Sequence, residues 1–191
     1  MRVIAGVHRG RRLLGPNGPA LRPTSDKVKE AMFSIVGDRI IGARVVDLYA
    51  GTGSLGIEAL SRGAASVAFV EADRAACRIL QANVERCRGL ASDVQICACR
   101  VETFLRRDKT WAGPYDLVLA DPPYAETSGL LDAMRAVPAT RFADHALMVI
   151  EHGRKTTLPS RVGPYRLLRR YDYGDTSLSL LHHTVDVAGA S

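Results

Sequence analysis

Long apolar segments and paired cysteines are what this 191-residue chain lacks. No apolar run approaches the roughly 20 residues that a membrane-spanning helix needs, and residues 1–9 contain no apolar signal segment. The four cysteines are Cys77, Cys87, Cys97 and Cys99. They include no C-x-x-C pair, which disfavours a zinc site and favours buried free thiols. The sequence therefore predicts a cytoplasmic protein of one domain, without a membrane partner or a bound metal.

Acidic residues are scarce in two stretches of the chain, which carries a formal net charge of +6 and has a pI of about 9.4. Residues 1–29 contain seven Arg or Lys residues and one acid, Asp26, and residues 154–170 contain six Arg or Lys residues and no acid. Charge runs most often form a solvated surface. Clustering of this kind nevertheless favours a polyanionic partner such as a nucleic acid.

Between these basic stretches, apolar runs alternate with amphipathic segments. We expect strands at residues 44–48, 67–71, 94–97, 115–120 and 146–151, with helices at 54–62, 73–88, 102–107 and 128–136. Two more strands, 165–171 and 177–182, predict a hairpin-like end. Residues 1–23 predict an extended arm with a short strand at 2–5, and Thr24-Ser25-Asp26 can cap the helix that follows. Strands that alternate with helices predict an α/β fold with a mostly parallel sheet and right-handed crossovers.

A glycine pattern, Gly51-x-Gly53-x-x-Gly56, joins the first strand of the sheet to its helix. Glycines let a ligand approach the backbone closely, and this spacing in a strand–turn–helix context is typical of nucleotide-binding turns. The pattern alone is also compatible with a plain tight turn. We therefore look to the neighbouring acids for the identity of a ligand.

Two carboxylates lie at the ends of the first two strands. Asp47, four residues before Gly51, would repel a pyrophosphate but suits the ammonium group of an amino acid. Glu71, 20 residues after Gly51, can bind both hydroxyls of a ribose, although a strand-end acid can also simply face solvent. An ammonium group and a ribose together describe S-adenosylmethionine. NAD would explain Glu71 but not Asp47.

The adenine of such a cofactor is expected after the third strand, against the backbone of Arg100 and Val101. Glu102 meets the adenine edge or serves as an acid at a helix N-terminus, favoured by the helix dipole, and the sequence leaves both roles open. The full set of expected cofactor contacts is Asp47, Tyr49, Gly51, Thr52, Gly53, Glu71, Ala72, Arg100, Val101 and Asp121.

The four residues Asp121-Pro122-Pro123-Tyr124 follow the fourth predicted strand and are the expected catalytic residues. Asp121 can accept hydrogen bonds from an amino group. Pro122 and Pro123 lack N–H donors, which leaves the Pro122 carbonyl available as a second acceptor. Tyr124 offers a flat face to a planar ring. The segment therefore predicts a binding site for a planar ring with an exocyclic amine. It does not distinguish guanine from adenine.

These motifs resemble the class I S-adenosylmethionine-dependent methyltransferases that modify amino groups. Three further segments, Arg9-Gly10-Arg11, Arg22-Pro23-Thr24 and the turn from Tyr173 to Leu178, resemble more closely the bacterial 16S ribosomal RNA guanine-N2 methyltransferases, the RsmD family. The resemblance runs from Arg2 to about Leu181, nearly the whole chain.

The resemblance implies a Rossmann-like fold with a seven-stranded, mostly parallel sheet whose last strand is antiparallel. It implies S-adenosylmethionine as methyl donor, and as substrate a guanine N2 amine in a partly assembled 30S subunit. We expect a basic arm and helix at residues 1–36, a catalytic domain at 37–183, a disordered tail at 184–191, and a monomer. The expected RNA contacts are Arg9, Arg11, Arg12, Arg22, Thr24 and Lys27.

Three other functions are compatible with parts of the pattern. An adenine-N6 methyltransferase of DNA or RNA would use the same Asp-Pro-Pro-Tyr segment, but 191 residues leave no room for an added target-recognition domain. An NAD-dependent oxidoreductase is disfavoured by Asp47 and by the lack of a Tyr-x-x-x-Lys pair. A non-catalytic RNA-binding protein is disfavoured by the intact set of expected cofactor contacts.

Overall fold

An eight-stranded sheet forms the centre of the protein in the computed structural model, which describes residues 1–15, 26–87, 93–106 and 113–184. The strands are β1 (Arg44–Leu48), β2 (Ser66–Glu71), β3 (Asp93–Ala98), β4 (Tyr115–Ala120), β5 (Phe142–Gly153), β6 (Arg161–Val162), β7 (Tyr165–Tyr173) and β8 (Thr176–His183). The α-helices are α1 (Asp26–Val36), α2 (Ser54–Ser61), α3 (Arg74–Arg86), α4 (Val101–Arg106) and α5 (Thr127–Arg135), and short 3₁₀ turns lie at Gly37–Ile40, Tyr124–Glu126 and Ala139–Arg141.

The strand order across the sheet is β3-β2-β1-β4-β5-β8-β7-β6. The first five strands in this order are parallel to one another, while β8 runs antiparallel to both β5 and β7. The predicted α/β fold, its mostly parallel sheet and its antiparallel last strand are thereby confirmed. The strand order changes direction between β1 and β4, since β2 and β3 lie on one side of β1 and the later strands on the other. Ligands of such folds bind at this switch point.

Alternation of side chains along the strands builds two separate cores. Val45 of β1 packs with α1, α2 and α3 on one face, and Val46 packs with α4 and α5 on the other. A strand covered on both faces reads as a continuous apolar run, which is why the bounds of β1 and β4 follow the sequence prediction residue for residue.

The predicted count of seven strands is wrong by one in the described residues. The additional strand β6 has only two residues and pairs Val162 with Tyr165 across a turn at Gly163, which has a φ of +54°. Two residues are too few to show a period-two pattern, so local periodicity does not reveal this strand.

The predicted extended arm is also wrong over residues 1–15, where the chain folds back on itself. Its predicted strand at 2–5 is reduced to a single bridge between Arg2 and Arg12. Gly6 has a φ of +81°, and a Cβ there would lie 1.7 Å from the Ser61 carbonyl oxygen, so the arm lies directly against the end of α2. Val3 is buried in the core beneath it.

A buried carboxylate fastens this arm. Glu58 of α2 is fully buried and accepts hydrogen bonds from the backbone N–H of Ile4 (2.7 Å) and Ala5 (2.9 Å). The Arg62 guanidinium donates to the same carboxylate at 2.8 Å. The conformation of the arm therefore depends on a side chain more than 50 residues away in sequence.

As predicted, none of the four cysteines, all within the described residues, forms a disulfide, but the expectation that all are buried is wrong for Cys77 and Cys99, which are half-buried. Cys87 and Cys97 are buried, and burial raises the pKa of each thiol, to about 11 for Cys97. In the described parts of the chain, no helix has the length and apolar character needed to cross a membrane. The predicted tail lies outside the described residues from 185 onward.

Candidate functional site

Three carboxylates meet at the carboxyl ends of neighbouring strands. Asp47 lies on β1, Glu71 ends β2, and Asp121 directly follows β4, with β1 between the other two strands. Both Glu71 and Asp121 are close enough for their charges to raise the pKa of Asp47. The structure thus gathers at one edge of the sheet three acids that the sequence assigned to one site.

Asp47 is the most buried of these acids, at 1% exposure. Its Oδ2 atom accepts the Gly56 N–H at 2.8 Å, whereas Oδ1 is buried without a hydrogen-bond partner. Burial raises the pKa of Asp47 to about 8; the Gly56 hydrogen bond opposes this shift and the charges of Asp121 and Glu71 add to it. A buried acceptor without a partner is costly, so this carboxyl group is suited to a cationic ligand.

The glycines of the loop serve different purposes. A Cβ at Gly53 would lie 2.3 Å from Leu80 Cδ1, and one at Gly56 would lie 2.2 Å from Phe69 Cε1. The packing of α2 on β2 therefore requires a glycine at position 56, and Gly53 is favoured by its contact with α3 and by its φ of +86°. Gly51 has a φ of +54°, and a Cβ added there would meet no atom within 4 Å, which leaves open space for a ligand.

Glu71 has a structural role that sequence patterns do not reveal. Its Oε2 accepts the Gly51 N–H and its Oε1 accepts the Asp73 N–H, both at 2.7 Å. The carboxylate therefore ties the glycine loop to the start of α3. Each oxygen retains a second lone pair, so the predicted contact with ribose hydroxyls is compatible with these bonds.

The remaining predicted cofactor contacts surround the glycine loop and the start of α4. Tyr49 has a φ of +62°, its hydroxyl is buried without a partner, and burial raises its pKa. Thr52 is buried and Ala72 is exposed. Positive φ at a bulky residue is strained, which marks the Tyr49 backbone as part of a constrained site.

The start of α4 carries the residues predicted to meet an adenine. Val101 is buried and Arg100 is exposed, with its Nε 3.3 Å from Glu102 Oε2. Glu102 lies in the first turn of α4, the position that the dipole role requires, and is half-buried. Its carboxylate is thus engaged by Arg100.

The Asp-Pro-Pro-Tyr segment, residues 121–124, forms a partly exposed surface next to Asp47 and Glu71. Asp121 is half-buried, Pro122 is buried and Pro123 is exposed. Tyr124 is 47% exposed, and its ring lies against Gly153, where a Cβ would be 3.5 Å from Tyr124 Cδ2. One side of the ring is thus packed on the end of β5, while much of the side chain remains accessible.

Two residues of the β7–β8 hairpin, Thr176 and its pairing partner Tyr173, are absent from the predicted site. The Tyr124 hydroxyl lies 3.1 Å from Thr176 Oγ1. Tyr173 is directly opposite Thr176 in the antiparallel pair, which places both side chains on one face of the sheet, and it is 37% exposed. In the sequence, the turn from Tyr173 to Leu178 supports the family resemblance but does not identify these two residues as part of the site. The two residues Gly174 and Asp175 were the available signal, because a two-residue hairpin turn pairs the residues on either side of it, Tyr173 and Thr176.

The described basic residues predicted to contact RNA lie on the arm and on α1. Arg9, Arg11, Arg12 and Lys27 are exposed, and Arg11 donates a hydrogen bond to the Arg86 carbonyl. Arg22 and Thr24, also predicted contacts, lie outside the described residues. In the second basic stretch, Arg154, Lys155, Arg161, Arg166 and Arg169 are exposed. Among the described residues, no group of three or more His, Cys, Asp or Glu side chains is arranged to hold a metal ion.

Comparison with known proteins places the chain among close relatives. Residues 1–182 match the family described as conserved hypothetical protein 95. Ribosomal RNA small subunit methyltransferase D of Escherichia coli is 34% identical over 182 residues, which cover 94% of this chain and 88% of the relative. YlbH of Bacillus subtilis is 35% identical over 185 residues, with 94% and 97% coverage.

Solved structures agree with these relatives over nearly the whole length. The structure of yhhF from Escherichia coli superposes with a TM-score of 0.81 at 30% identity and covers 96% of this chain and 97% of its own. TTHA0928 from Thermus thermophilus superposes with a TM-score of 0.78 at 29% identity, with 94% and 98% coverage. The match of sequence, fold and length confirms the resemblance predicted from the sequence, and the chain belongs to the conserved hypothetical protein 95 family.

Proposed function

We propose that the protein transfers a methyl group from S-adenosylmethionine to the N2 amine of a guanine in 16S ribosomal RNA. One observation carries the proposal: the buried, half-satisfied carboxyl group of Asp47 lies beside Asp121 at the switch point of the sheet. The first group suits the cationic end of the cofactor and the second suits an amine. Methylation of small-subunit ribosomal RNA is the activity named for the Escherichia coli relative, which supports this choice of substrate.

The described residues fit the cofactor. Asp47 Oδ1 would receive the ammonium group, Glu71 the ribose hydroxyls, and the buried Val101 with the neighbouring Arg100 backbone the adenine. Open space at Gly51 allows the ligand to approach the backbone there. When bound, the cofactor supplies a methyl group on a sulfonium sulfur. NAD is disfavoured because its pyrophosphate would offer the Asp47 carboxyl group no cationic partner.

The main task of the protein is to align a weak nucleophile. The lone pair of guanine N2 is delocalised into the ring, so the amine must be turned before it can attack in line. Asp121 and the Pro122 carbonyl would accept its two N–H bonds and stabilise the positive charge that develops on nitrogen. The amine would lose one proton overall when it is methylated. Asp121 would either accept that proton or only orient the amine, in which case solvent would accept it.

Tyr124 would hold the target base outside the RNA stack. An enzyme that acts on a base atom in folded RNA extrudes the base and commonly stacks it on an aromatic ring. The ring of Tyr124 is partly exposed and supported from behind by Gly153, which suits stacking. Tyr173, on the same face as Thr176, offers a second exposed ring nearby.

Binding of the RNA backbone is assigned to the arm and α1. Arg9, Arg11, Arg12 and Lys27 are exposed cations that can contact phosphates, and we keep Arg22 and Thr24 as proposed contacts. A partly assembled 30S subunit as substrate, a monomeric enzyme and a cytoplasmic location complete the proposal. An adenine-N6 methyltransferase is the alternative with the same chemistry, because Asp121 and Tyr124 fit either base.

Identification of the modified nucleoside tests this proposal. Purified protein and labelled S-adenosylmethionine are incubated with 30S particles, and with naked 16S RNA, from a strain that lacks the corresponding enzyme. The RNA is digested and its nucleosides are separated by mass spectrometry. We expect N2-methylguanosine, formed preferentially on the particles. N6-methyladenosine would replace this proposal by the alternative, and no methylated nucleoside would reject both.

A further inference from the structure

The side chain of Asn83 joins the N-terminal arm to the glycine loop. Asn83 lies on α3 and is fully buried. Its Nδ2 donates to the carbonyl oxygens of Thr52 (2.9 Å) and Leu14 (3.0 Å), and its Oδ1 accepts the Leu14 N–H at 2.7 Å. A primary amide has two N–H donors, and both are used here. One side chain thus holds the loop on one side and the arm on the other.

Lys29 forms a second bridge between the same two segments. It is fully buried, with Nζ 3.4 Å from Glu58 Oε2. The same Nζ donates to the Arg2 carbonyl oxygen at 2.6 Å and to Ser54 Oγ at 3.2 Å. Arg2 belongs to the arm, and Ser54 is the first residue of α2, directly after the glycine loop. A buried ammonium is stable only when it is paired and hydrogen-bonded, so both contacts are strongly favoured.

The two bridges hold both ends of the folded arm, at Arg2 and at Leu14. Its exposed guanidinium groups, on Arg9, Arg11 and Arg12, lie between these anchored ends. A third contact joins the start of the arm to the loop, where Thr52 Oγ1 lies 3.7 Å from Met1 Sδ. The surface predicted to meet RNA and the loop predicted to meet the cofactor therefore share one set of buried contacts.

We propose that Asn83 and Lys29 are positioning residues that couple the arm to the glycine loop, so that cofactor binding and RNA binding stabilise each other. The identity of the two ligands rests on the proposed function. Binding at either site would order the contacts that the other site needs, and such coupling is reciprocal in free energy. A purely structural role would instead lower stability in Asn83 variants without changing how one ligand affects the other.

Limited digestion with trypsin tests the coupling without RNA. The arm offers cleavage sites after Arg9, Arg11 and Arg12, and cleavage requires local opening of the arm. In the wild-type protein we expect saturating S-adenosylhomocysteine to slow cleavage at these sites by about fivefold or more, the lower range of measured couplings. In Asn83→Ala the same ligand, at a concentration shown by titration to saturate, should give less than about a twofold effect.

Gln81→Ala is the matched control for this experiment. Gln81 lies two residues earlier on α3, is exposed, and donates a side-chain hydrogen bond to Glu85 of the same helix. It should retain the full protection of the wild type. Equal protection in Asn83→Ala and wild type, or no protection in wild type, would overturn the proposal.

Hydrogen exchange of the wild-type protein keeps the proposal testable if Asn83→Ala does not fold. The Leu14 N–H donates to Asn83 Oδ1, so its exchange reports on this bridge directly. S-adenosylhomocysteine should slow exchange at Leu14 by about fivefold or more. An unchanged rate at saturating ligand would contradict the coupling.

A third measurement separates this proposal from the proposed function. The dissociation constant of S-adenosylhomocysteine is measured with and without a short fragment of 16S RNA. RNA should tighten binding by about fivefold or more in wild type and have little effect in Asn83→Ala. If RNA is methylated but tightens nothing, the coupling is wrong and the function stands. If the ligand protects the arm but ribosomal RNA is not a substrate, the function is wrong and the coupling stands.

Discussion

The phenolic oxygen of Tyr124 lies 3.1 Å from Oγ1 of Thr176, and 52 residues of sequence separate the two. Thr176 begins β8, the antiparallel strand inserted beside β5, and Tyr124 follows the end of β4. The hydrogen bond therefore connects the C-terminal hairpin to the Asp-Pro-Pro-Tyr segment, which is proposed to hold the target base. Its consequence is a fixed orientation of the Tyr124 ring.

Replacement of Thr176 by valine should loosen that ring. Valine keeps the branched shape but removes the hydroxyl, and a net hydrogen bond is worth about 0.5–1.5 kcal/mol. We expect kcat/KM for RNA to fall by about two- to tenfold, while cofactor affinity is unchanged. Thr176→Ser should retain activity. In a double-mutant cycle, Tyr124→Phe should add little to Thr176→Val, and full additivity of the two losses would refute the contact.

Cofactor binding should release a proton from Asp47. Burial raises the pKa of this group to about 8, so the carboxyl group is largely protonated near neutral pH. An ammonium partner favours the carboxylate and lowers that pKa, so affinity should rise with pH from about 6 to about 7.5, above which the ammonium itself deprotonates. Titration calorimetry in buffers of different ionisation enthalpy should count release of nearly one proton at about pH 6.5.

Asp47→Asn provides the control for that titration. It preserves the acceptor for the Gly56 N–H but has no proton to release, so the proton count should fall towards zero and affinity should drop. The raised pKa also has a consequence for the ligand-free protein. The contribution of Asp47 to the free energy of unfolding, taken as the difference between wild type and Asp47→Asn, should decrease as the pH rises from about 4 towards about 8, because the unfolded chain gives up this proton more readily. Binding that is independent of pH would argue against an Asp47–ammonium pair.

The salt dependence of RNA binding should reveal the arm's phosphate contacts. Each of Arg9→Gln and Arg12→Gln removes one exposed cation, and loss of one phosphate contact reduces the slope of log K against log salt by about 1. Arg39→Gln, at an exposed position outside the two basic stretches, is the control and should leave the slope unchanged. If both arm variants keep the wild-type slope, Arg9 and Arg12 do not contact RNA phosphates and the arm is not part of the RNA interface.

Deletion of residues 1–20 is a poor test of the same point, although these residues lie outside the catalytic domain expected at 37–183. The deletion would remove the N–H groups of Ile4 and Ala5 that donate to Glu58. It would also remove the Arg2 carbonyl that accepts from the Lys29 ammonium. Removal of the partners of a buried charge is strongly destabilising, on the order of 3–5 kcal/mol. Thermal unfolding of the truncated protein should therefore occur well below that of the wild type.

Replacement of Gly56 and of Gly129 by alanine should change the free energy of unfolding in opposite directions. A Cβ at Gly56 would lie 2.2 Å from Phe69, so α2 must move and unfolding should require about 1–3 kcal/mol less. Gly129 is exposed on α5, and the nearest atom to a Cβ there, Glu102 Oε1, is 4.0 Å away. Gly129→Ala should therefore stabilise the protein by about 0.4–1 kcal/mol. Chemical denaturation measures both changes, and a stable Gly56→Ala protein would contradict the close packing of α2 on β2.

Local sequence patterns predict the parts of this fold that depend on local physics. The bounds of β1 and β4 follow from continuous apolar runs, and Asp73 caps α3 by accepting the Ala76 N–H at 2.7 Å, as a capping residue should. The meeting of Asp47, Glu71 and Asp121 is likewise predictable, because parallel strands place their carboxyl ends at one edge.

The features that the sequence does not predict depend on contacts between distant residues. The arm folds because Glu58 and Asn83 accept and donate hydrogen bonds across 53 to 69 positions. The bond between Tyr124 and Thr176 is equally distant. Since no periodicity reports such pairs, buried Lys29, Glu58 and Asn83 appear in the sequence only as ordinary polar residues of helices.

In the proposed mechanism, Asp121 acts on the amine while Asp47 holds the cofactor. The most direct test is to measure S-adenosylmethionine affinity and single-turnover methylation of 30S particles by Asp121→Ala alongside the wild type. We predict a dissociation constant within a few-fold of the wild type and a rate lower by about a hundredfold or more, the scale of losing one key acceptor in the transition state. A near-normal rate in Asp121→Ala would contradict the account.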